Sequence, residues 1–324
     1  MKLILHIGIG KTGTTAFQRF CNLNEGILRE NGYIYAGTLL QNITLRPPFE
    51  HIGQVGNPAI LARGLSKLDS IAQHFSKDTK ALIWSNESLS MSRSPEELAA
   101  CFDDYIKNSK VFSEWEVYVV LRRQDQWIES AYKQWALKHK TYKGTGIMDP
   151  GKYAESVAYL LDYYSWIQKW NNTSASVFAC SYDAVLESGG IAPYFIHKMD
   201  LNLPEKESMD YSEHTHGSLS NDMSMLVALY NQHYEEPNNP TDLLTVLNDT
   251  GLAHLSDSKE SCFFSREMKQ EIFDRFKDTN DKVNSELFSD RESFNDKPIE
   301  DKELYEPDYL RLISHLLIIL SKRW

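Results

Sequence analysis

Four short apolar runs, separated by amphipathic stretches, constrain the fold of this 324-residue chain more than any other feature. They are Lys2–Ile7, Lys80–Ser85, Glu116–Leu121 and Ala175–Cys180. Each is bounded by turn-forming or polar residues, the mark of a buried strand. Helical patterns lie between them at Thr14–Asn31, Pro58–Phe75, Pro95–Lys107, Gln124–Lys138 and Gly151–Trp170. Ser94 is placed as the N-cap of the third helix, with Pro95 in its first turn. Strands alternating with helices predict an α/β domain built on a mainly parallel sheet. After residue 184 the strand signal fades. Helices are expected at Ile191–Met199, Ser220–Tyr234, Ser265–Asn284 and Pro307–Ser321, with polar loops at 235–242 and 289–308. The expected organisation is a single domain. Residues 1–184 form its α/β core, and residues 185–324 form a mostly helical part that covers the core.

Charge and composition narrow the function classes. The formal net charge is −11, which argues against nucleic-acid binding, since that rests on dense positive charge. The four cysteines, Cys21, Cys101, Cys180 and Cys262, are scattered without a C-x-x-C pair. They read as thiols of a reducing compartment. No secretory signal is visible in the first residues, so a cytoplasmic location is expected. The apolar stretch 309–320 contains Arg311 and His315 and is too short to span a bilayer. It is expected to pack on the core as a terminal helix. No metal-ligand spacing is present, and no metal is expected.

The chemistry concentrates between the first strand and the first helix, in "HIGIGKTGTTAFQ" (6–18). Gly8, Gly10 and Gly13 permit close approach of backbone to a ligand. The helix beginning near Thr14 turns its free N–H groups and positive dipole end toward the loop. That arrangement suits an anion. Lys11 adds a charge, and Thr14 and Thr15 add hydroxyl donors. The ATPase form G-x-x-x-x-G-K-[ST] is not met, because Lys11 precedes Gly13. A second concentration is "EVYVVLRRQDQWIES" (116–130). A buried strand runs into Arg122 and Arg123, and a helix then carries Ser130. Ligands of open α/β sheets bind outside the C-terminal ends of the strands, so Arg122 is placed at the same edge as the glycine loop. Its guanidinium fork suits a phosphate.

These two motifs resemble the sulfotransferases that use 3′-phosphoadenosine 5′-phosphosulfate (PAPS). "KTGTT" followed by Gln18 is similar to the family's 5′-phosphosulfate loop. The resemblance assigns Lys11, Thr12, Gly13, Thr14 and Thr15 to that group. An arginine at a strand end with a serine eight positions later resembles its 3′-phosphate motif, here Arg122 and Ser130. The resemblance implies a three-layer P-loop-type α/β fold and a carbohydrate-sulfotransferase-like activity of bacterial type. PAPS would be co-substrate, without a metal. The acceptor would be a small molecule or a glycan, with a carbohydrate or glycolipid hydroxyl (or amine) favoured. Glu87, in "IWSNESLS" (83–90), resembles the carboxylate that takes the acceptor proton, and His51 is the rival base. "CSYDAVL" (180–186) resembles the turn that puts an aromatic residue, Tyr182, near the adenine. Two later segments resemble bacterial members less closely, with His216 and Thr279 at positions where those members carry asparagine and serine. Two alternatives remain open at this point. One is a P-loop kinase or nucleotide hydrolase; the other is a nucleotide-binding module without catalysis.

Overall fold

A computed structural model of the chain describes residues 1–204, 208–211, 219–249, 261–289, 292–294 and 297–321. The chain forms two compact units. The first comprises Met1–Arg122, Asp162–His214 and Lys277–Asp296, and the second Arg123–Leu161, Thr215–Phe276 and Lys297–Trp324.

In chain order, the first unit starts with β1 (Lys2–His6), α1 (Thr14–Leu23), α2 (Glu25–Glu30) and β2 (Tyr33–Tyr35). It continues through α3 (Pro58–Ala72), β3 (Ala81–Ser85), α4 (Pro95–Asn108) and β4 (Glu114–Leu121). The second unit then takes α5 (Gln124–Ala131) and α6 (Pro150–Val157). The chain returns to the first for α7 (Tyr163–Asn171), β5 (Ser176–Ser181), α8 (Tyr182–Glu187) and α9 (Ile191–Lys198). The second unit adds α10 (Asn221–Asn231), α11 (Thr241–Asp249), β6 (Ser261–Cys262) and α12 (Arg266–Arg275). Helix α13 (Lys277–Lys282) belongs to the first unit, and β7 (Glu303–Leu304) with α14 (Tyr309–Ser321) to the second.

The first unit is a three-layer α/β structure. Its five-stranded sheet has the order β2-β3-β1-β4-β5, and every pairing is parallel. The central strand pairs on both sides, with Leu3 opposite Leu82 and Trp115, and Leu5 opposite Trp84 and Val117. Because a parallel sheet is covered on both faces, its strands read as near-continuous apolar runs. Ile4, Ile83, Tyr118 and Val120 face one side and pack with Phe17 of α1 and Ile191 and Phe195 of α9. On the other side a chain of rings runs from Phe49 through Trp84 and Phe102 to Trp115 and Trp170. The connection after β1 leads to the β2 edge, and the one after β4 leads to the β5 edge. The two diverge between β1 and β4, which makes the carboxyl ends of those strands the topological switch point.

Several boundaries differ from the sequence reading. A fifth strand, β2, was not expected, because three residues carry too little pattern to register. The helix expected over Thr14–Asn31 breaks at Asn24. Its side chain donates to Phe20 O and accepts from the Asp210 N–H, 2.8 Å away. The helix expected over Gly151–Trp170 breaks where the Asp162 side chain caps Ser165 N. Ser94 sits at the N-cap of α4 but makes no side-chain capping bond. Residues 241–249 are helical, where the loop expected over 235–242 reached Thr241 and Asp242. Residues 303–304 pair as a strand with 261–262, within the expected loop 289–308.

In the second unit α5 widens into a π-helical segment, Tyr132–Lys138. Tyr132 meets Tyr153 and Phe264 edge-on. Met223, Leu226, Val227, Leu247 and Leu312 form an apolar cluster. Helix α14 buries Leu312 and pairs Arg311 with Asp222. It leaves Tyr309, Leu310, Ile313 and Leu317 exposed, so it packs on that cluster along a narrow stripe only. Among the described residues, no helix is long and apolar enough to cross a membrane.

Candidate functional site

The switch point is where the structure concentrates polar side chains. Residues 7–13 leave β1, and Ile7 N donates to Tyr118 O, extending the β1–β4 ladder by one bond. The loop then turns through two left-handed residues, Lys11 at φ 73° and Gly13 at φ 88°. Gly13 is the N-cap of α1, and its carbonyl accepts from the N–H groups of Ala16 and Phe17. A left-handed N-cap suits glycine, and for other residues that backbone is strained. The Thr12 hydroxyl donates to Ile9 O at 2.5 Å and is fully buried. It pins the loop. Thr14 is also buried, and its Oγ1 has no hydrogen-bond partner. Thr15 is exposed.

The floor under the loop is equally specific. His6 is fully buried and sits edge-on to Phe17 and Phe195. Burial drops its imidazole to about 3, so it is neutral. Its Nδ1 lies 2.9 Å from Ser85 Oγ, which also accepts from the Gln18 amide of α1 at 3.3 Å. A Cβ at Gly8 would lie 2.5 Å from His6 Nε2 and 3.2 Å from Thr14 Oγ1. Gly8 is therefore required for space, as Gly13 is for conformation.

Arg122 ends β4 at the same edge. Its Nη1 donates to Lys11 O at 3.3 Å, and its Nε is buried without a partner. The Tyr163 hydroxyl donates to Arg122 O at 2.7 Å and fixes the backbone there. The guanidinium lies 4.9 Å from the centre of the Tyr182 ring, at the start of α8. The geometry therefore brings Lys11, Thr14, Arg122 and Tyr182 to one edge of one sheet. The neighbouring Arg123 is used differently. It pairs with the Asp125 carboxylate at 2.7 and 2.9 Å, donates to the carbonyls of Lys297 and Pro298, and lies over Phe273. It holds the second unit together. Ser130 is half-buried on α5, in that second unit.

Glu87 opens the turn after β3. Burial raises its carboxyl above the ordinary value, and the charge of Lys11 works against that rise. The Ser90 hydroxyl lies within hydrogen-bond distance of Gly8 O at 3.0 Å and Glu87 O at 2.8 Å, stitching the turn to the glycine loop. His51 is exposed, at the start of a 3-10 turn. That turn meets the Glu87 turn: a Cβ at Gly56 would lie 2.7 Å from Ser88 O, and Ser92 Oγ donates to Gly56 O. Sequence reasoning missed His6, Ser85 and Ser90. Single buried serines and a strand-end histidine carry no pattern; Gly8 meets His6 and Ser90, and Ser85 joins them only through His6. His216 lies outside the described residues, and Thr279 is on α13.

No family model matches the chain. An uncharacterized protein of Archaeoglobus fulgidus is 28% identical over 184 residues. The match covers 55% of this chain and 47% of that relative, so it reaches about half the length of each.

Proposed function

We propose that the chain is a sulfotransferase moving a sulfuryl group from PAPS to a hydroxyl or amine of an acceptor, most simply a carbohydrate or glycolipid. The observation that carries this reading is the meeting of Lys11 and Arg122 at the switch point, beside a buried Thr14 hydroxyl and a buried Arg122 Nε that both lack partners. A buried polar atom without a partner calls for one, and these two stand beside a left-handed glycine loop at the sheet's carboxyl edge. Two such groups at one edge of the sheet suit an anionic ligand. Free buried thiols at Cys21, Cys180 and Cys262 support a cytoplasmic setting.

In this reading the bond from sulfur to the bridging oxygen of the nucleotide breaks as the bond from the acceptor oxygen to sulfur forms. The departing nucleotide keeps the electron pair. Lys11 offsets the charge growing on the bridging oxygen. The N–H groups at the start of α1 and the Thr14 hydroxyl hold the sulfuryl oxygens, as preorganised donors do for other anionic transition states. Glu87 takes the acceptor proton. A carboxyl raised by burial is a stronger base than an ordinary one, and the work asked of it is general-base catalysis. Arg122 anchors the 3′-phosphate, using remote binding to position the sulfur. Tyr182, with Arg122 on one face of its ring, would offer the other to the adenine.

The test is transfer of label from sulfur-labelled PAPS to a broad acceptor panel, with Glu87→Gln and His51→Ala alongside the parent. The expected result is transfer by the parent, a loss of about a hundredfold or more in Glu87→Gln, and near-parent transfer in His51→Ala. Full turnover in Glu87→Gln with loss in His51→Ala moves the base to His51. Magnesium-dependent ATP turnover without label transfer overturns the reading in favour of a kinase or hydrolase.

A further inference from the structure

A groove of about 420 Å³ lies in the first unit between the 48–54 loop and residues 60–67 of α3. Its size is within the range of small-molecule sites. Its walls include Pro48, Glu50, Gln54, Arg63, Ser66 and Lys67. The strands are parallel, so a crossover helix runs back along them. Helix α3 therefore starts at the carboxyl edge of the sheet, the edge that carries the glycine loop and Glu87, and Arg63 and Lys67 follow about one and a half and two and a half turns further along it.

The groove is built, not incidental. Gly64 lets the Phe49 ring rest directly on α3, where a Cβ would lie 2.2 Å from the ring. Phe49 is buried and stacks on Trp84 at 5.8 Å. This seats the loop. Gln54 Oε1 then accepts from Glu50 N at 2.8 Å and fixes the opposite wall. Leu61, Leu65 and Leu68 point into the core, which turns Arg63, Ser66 and Lys67 outward. Arg63 and Lys67 are one helical turn apart, and like charges at that spacing destabilise a helix slightly. Neither is in an ion pair among the described residues. An anion between them relieves that repulsion. Glu50 across the groove disfavours a bare inorganic anion but accepts hydrogen bonds from hydroxyl groups.

We propose that this groove is the acceptor subsite and takes an acidic saccharide. Its carboxylate or sulfate is held between Arg63 and Lys67, and its ring hydroxyls face Glu50 and Gln54. The assignment to an acceptor rests on the sulfotransferase reading; the affinity for an acidic saccharide stands on the groove alone. The same loop continues through His51 to Gly56, which packs on Ser88 beside Glu87, so a saccharide chain seated in the groove leads toward the base.

Calorimetric titration tests it, using the full chain. The probes are a glucuronate-containing unsulfated chondroitin disaccharide, its sulfated counterpart, and neutral lactose. Adenosine 3′,5′-bisphosphate (PAP) is titrated separately. The variant is Arg63→Ala/Lys67→Ala, both exposed positions, with unfolding midpoints measured for both proteins. At least one acidic disaccharide is expected to bind about tenfold or more tightly than lactose. The double variant should lose that preference while binding PAP as the parent does. Lactose binding as tightly as both acidic probes, or acidic binding unchanged in the double variant, overturns the proposal. If PAP fails to bind the parent while the acidic preference persists and depends on Arg63 and Lys67, the saccharide site stands and the sulfotransferase reading falls.

Discussion

Replacing Gly8 by alanine inserts one methyl group into the floor of the glycine loop. The new Cβ would lie 2.5 Å from His6 Nε2 and 3.2 Å from Thr14 Oγ1. The histidine cannot retreat easily. It is fully buried, tied to Ser85 Oγ at 2.9 Å, and flanked by the rings of Phe17 and Phe195 at centroid distances of 5.3 and 4.8 Å. Either His6 leaves its bond to Ser85 or the loop lifts. Overpacking of this kind costs about 1–3 kcal/mol. The backbone of Gly8, unlike that of Gly13, is not left-handed, so the cost is steric. That distinction makes a double-mutant cycle decisive. Gly8→Ala, His6→Ala and the double variant are unfolded in urea and followed by tryptophan fluorescence. The methyl group at residue 8 should cost about 1 kcal/mol less when the imidazole is gone. A lifted loop also moves Thr14 and the start of α1, so PAP binding should weaken in Gly8→Ala. If Gly8→Ala unfolds within about 0.5 kcal/mol of the parent, or if the two substitutions add without coupling, the described contact between loop and floor is wrong.

The two adjacent arginines should separate cleanly. Arg123→Ala leaves the buried Asp125 carboxylate unpaired and should destabilise by about 3–5 kcal/mol, read by chemical denaturation. Arg122→Ala should shift stability far less. Glu87→Gln should raise stability at neutral pH. The folded-state carboxyl is held above its ordinary value, so ionising it opposes folding above the ordinary carboxylate range. The gain should vanish near pH 4, where the unfolded chain is largely protonated too, and a thermal-melt series across pH shows whether it does. His6 makes the opposite contribution in acid. Its folded value is about 3 against an ordinary 6.5, so between these values the unfolded chain binds the extra proton. Stability therefore falls as pH drops through that window, by roughly 2 kcal/mol from this group between neutrality and pH 5. His6→Asn should flatten that part of the stability-against-pH curve, and an unchanged slope would contradict the assignment.

How much of this was legible in the sequence differs by kind of feature. The four longer strands and their parallel packing follow from apolar runs that need cover on both faces. Strand β2 did not register at three residues. The breaks at Asn24 and Asp162 depend on side chains capping particular backbone groups, which helical periodicity does not encode. In the site, the glycine loop and Arg122 were readable, because each departs from the run of residues around it. Their meeting through the Lys11 carbonyl is a consequence of strand order, β1 beside β4, and no local pattern carries that. The division of labour between Arg122 and Arg123 was equally invisible. Two adjacent arginines look alike until one is found clasping Asp125. The 48–54 loop looked like a place for a base at His51. Its packing on α3, through the absent side chain of Gly64, adds a groove that no motif announced.

The central claim is that Lys11, Thr14 and Arg122 form one nucleotide site at the switch point. Calorimetric titration of the parent, Lys11→Ala and Arg122→Ala with PAP, and of the parent with ATP and magnesium, tests it most directly. Charge-assisted hydrogen bonds contribute about 1.5–3 kcal/mol each. PAP should therefore bind the parent, and each variant should bind it about tenfold or more weakly, with unfolding midpoints near the parent's. PAP binding equally tight in all three proteins, or a parent that ignores PAP and turns over ATP, would contradict the account.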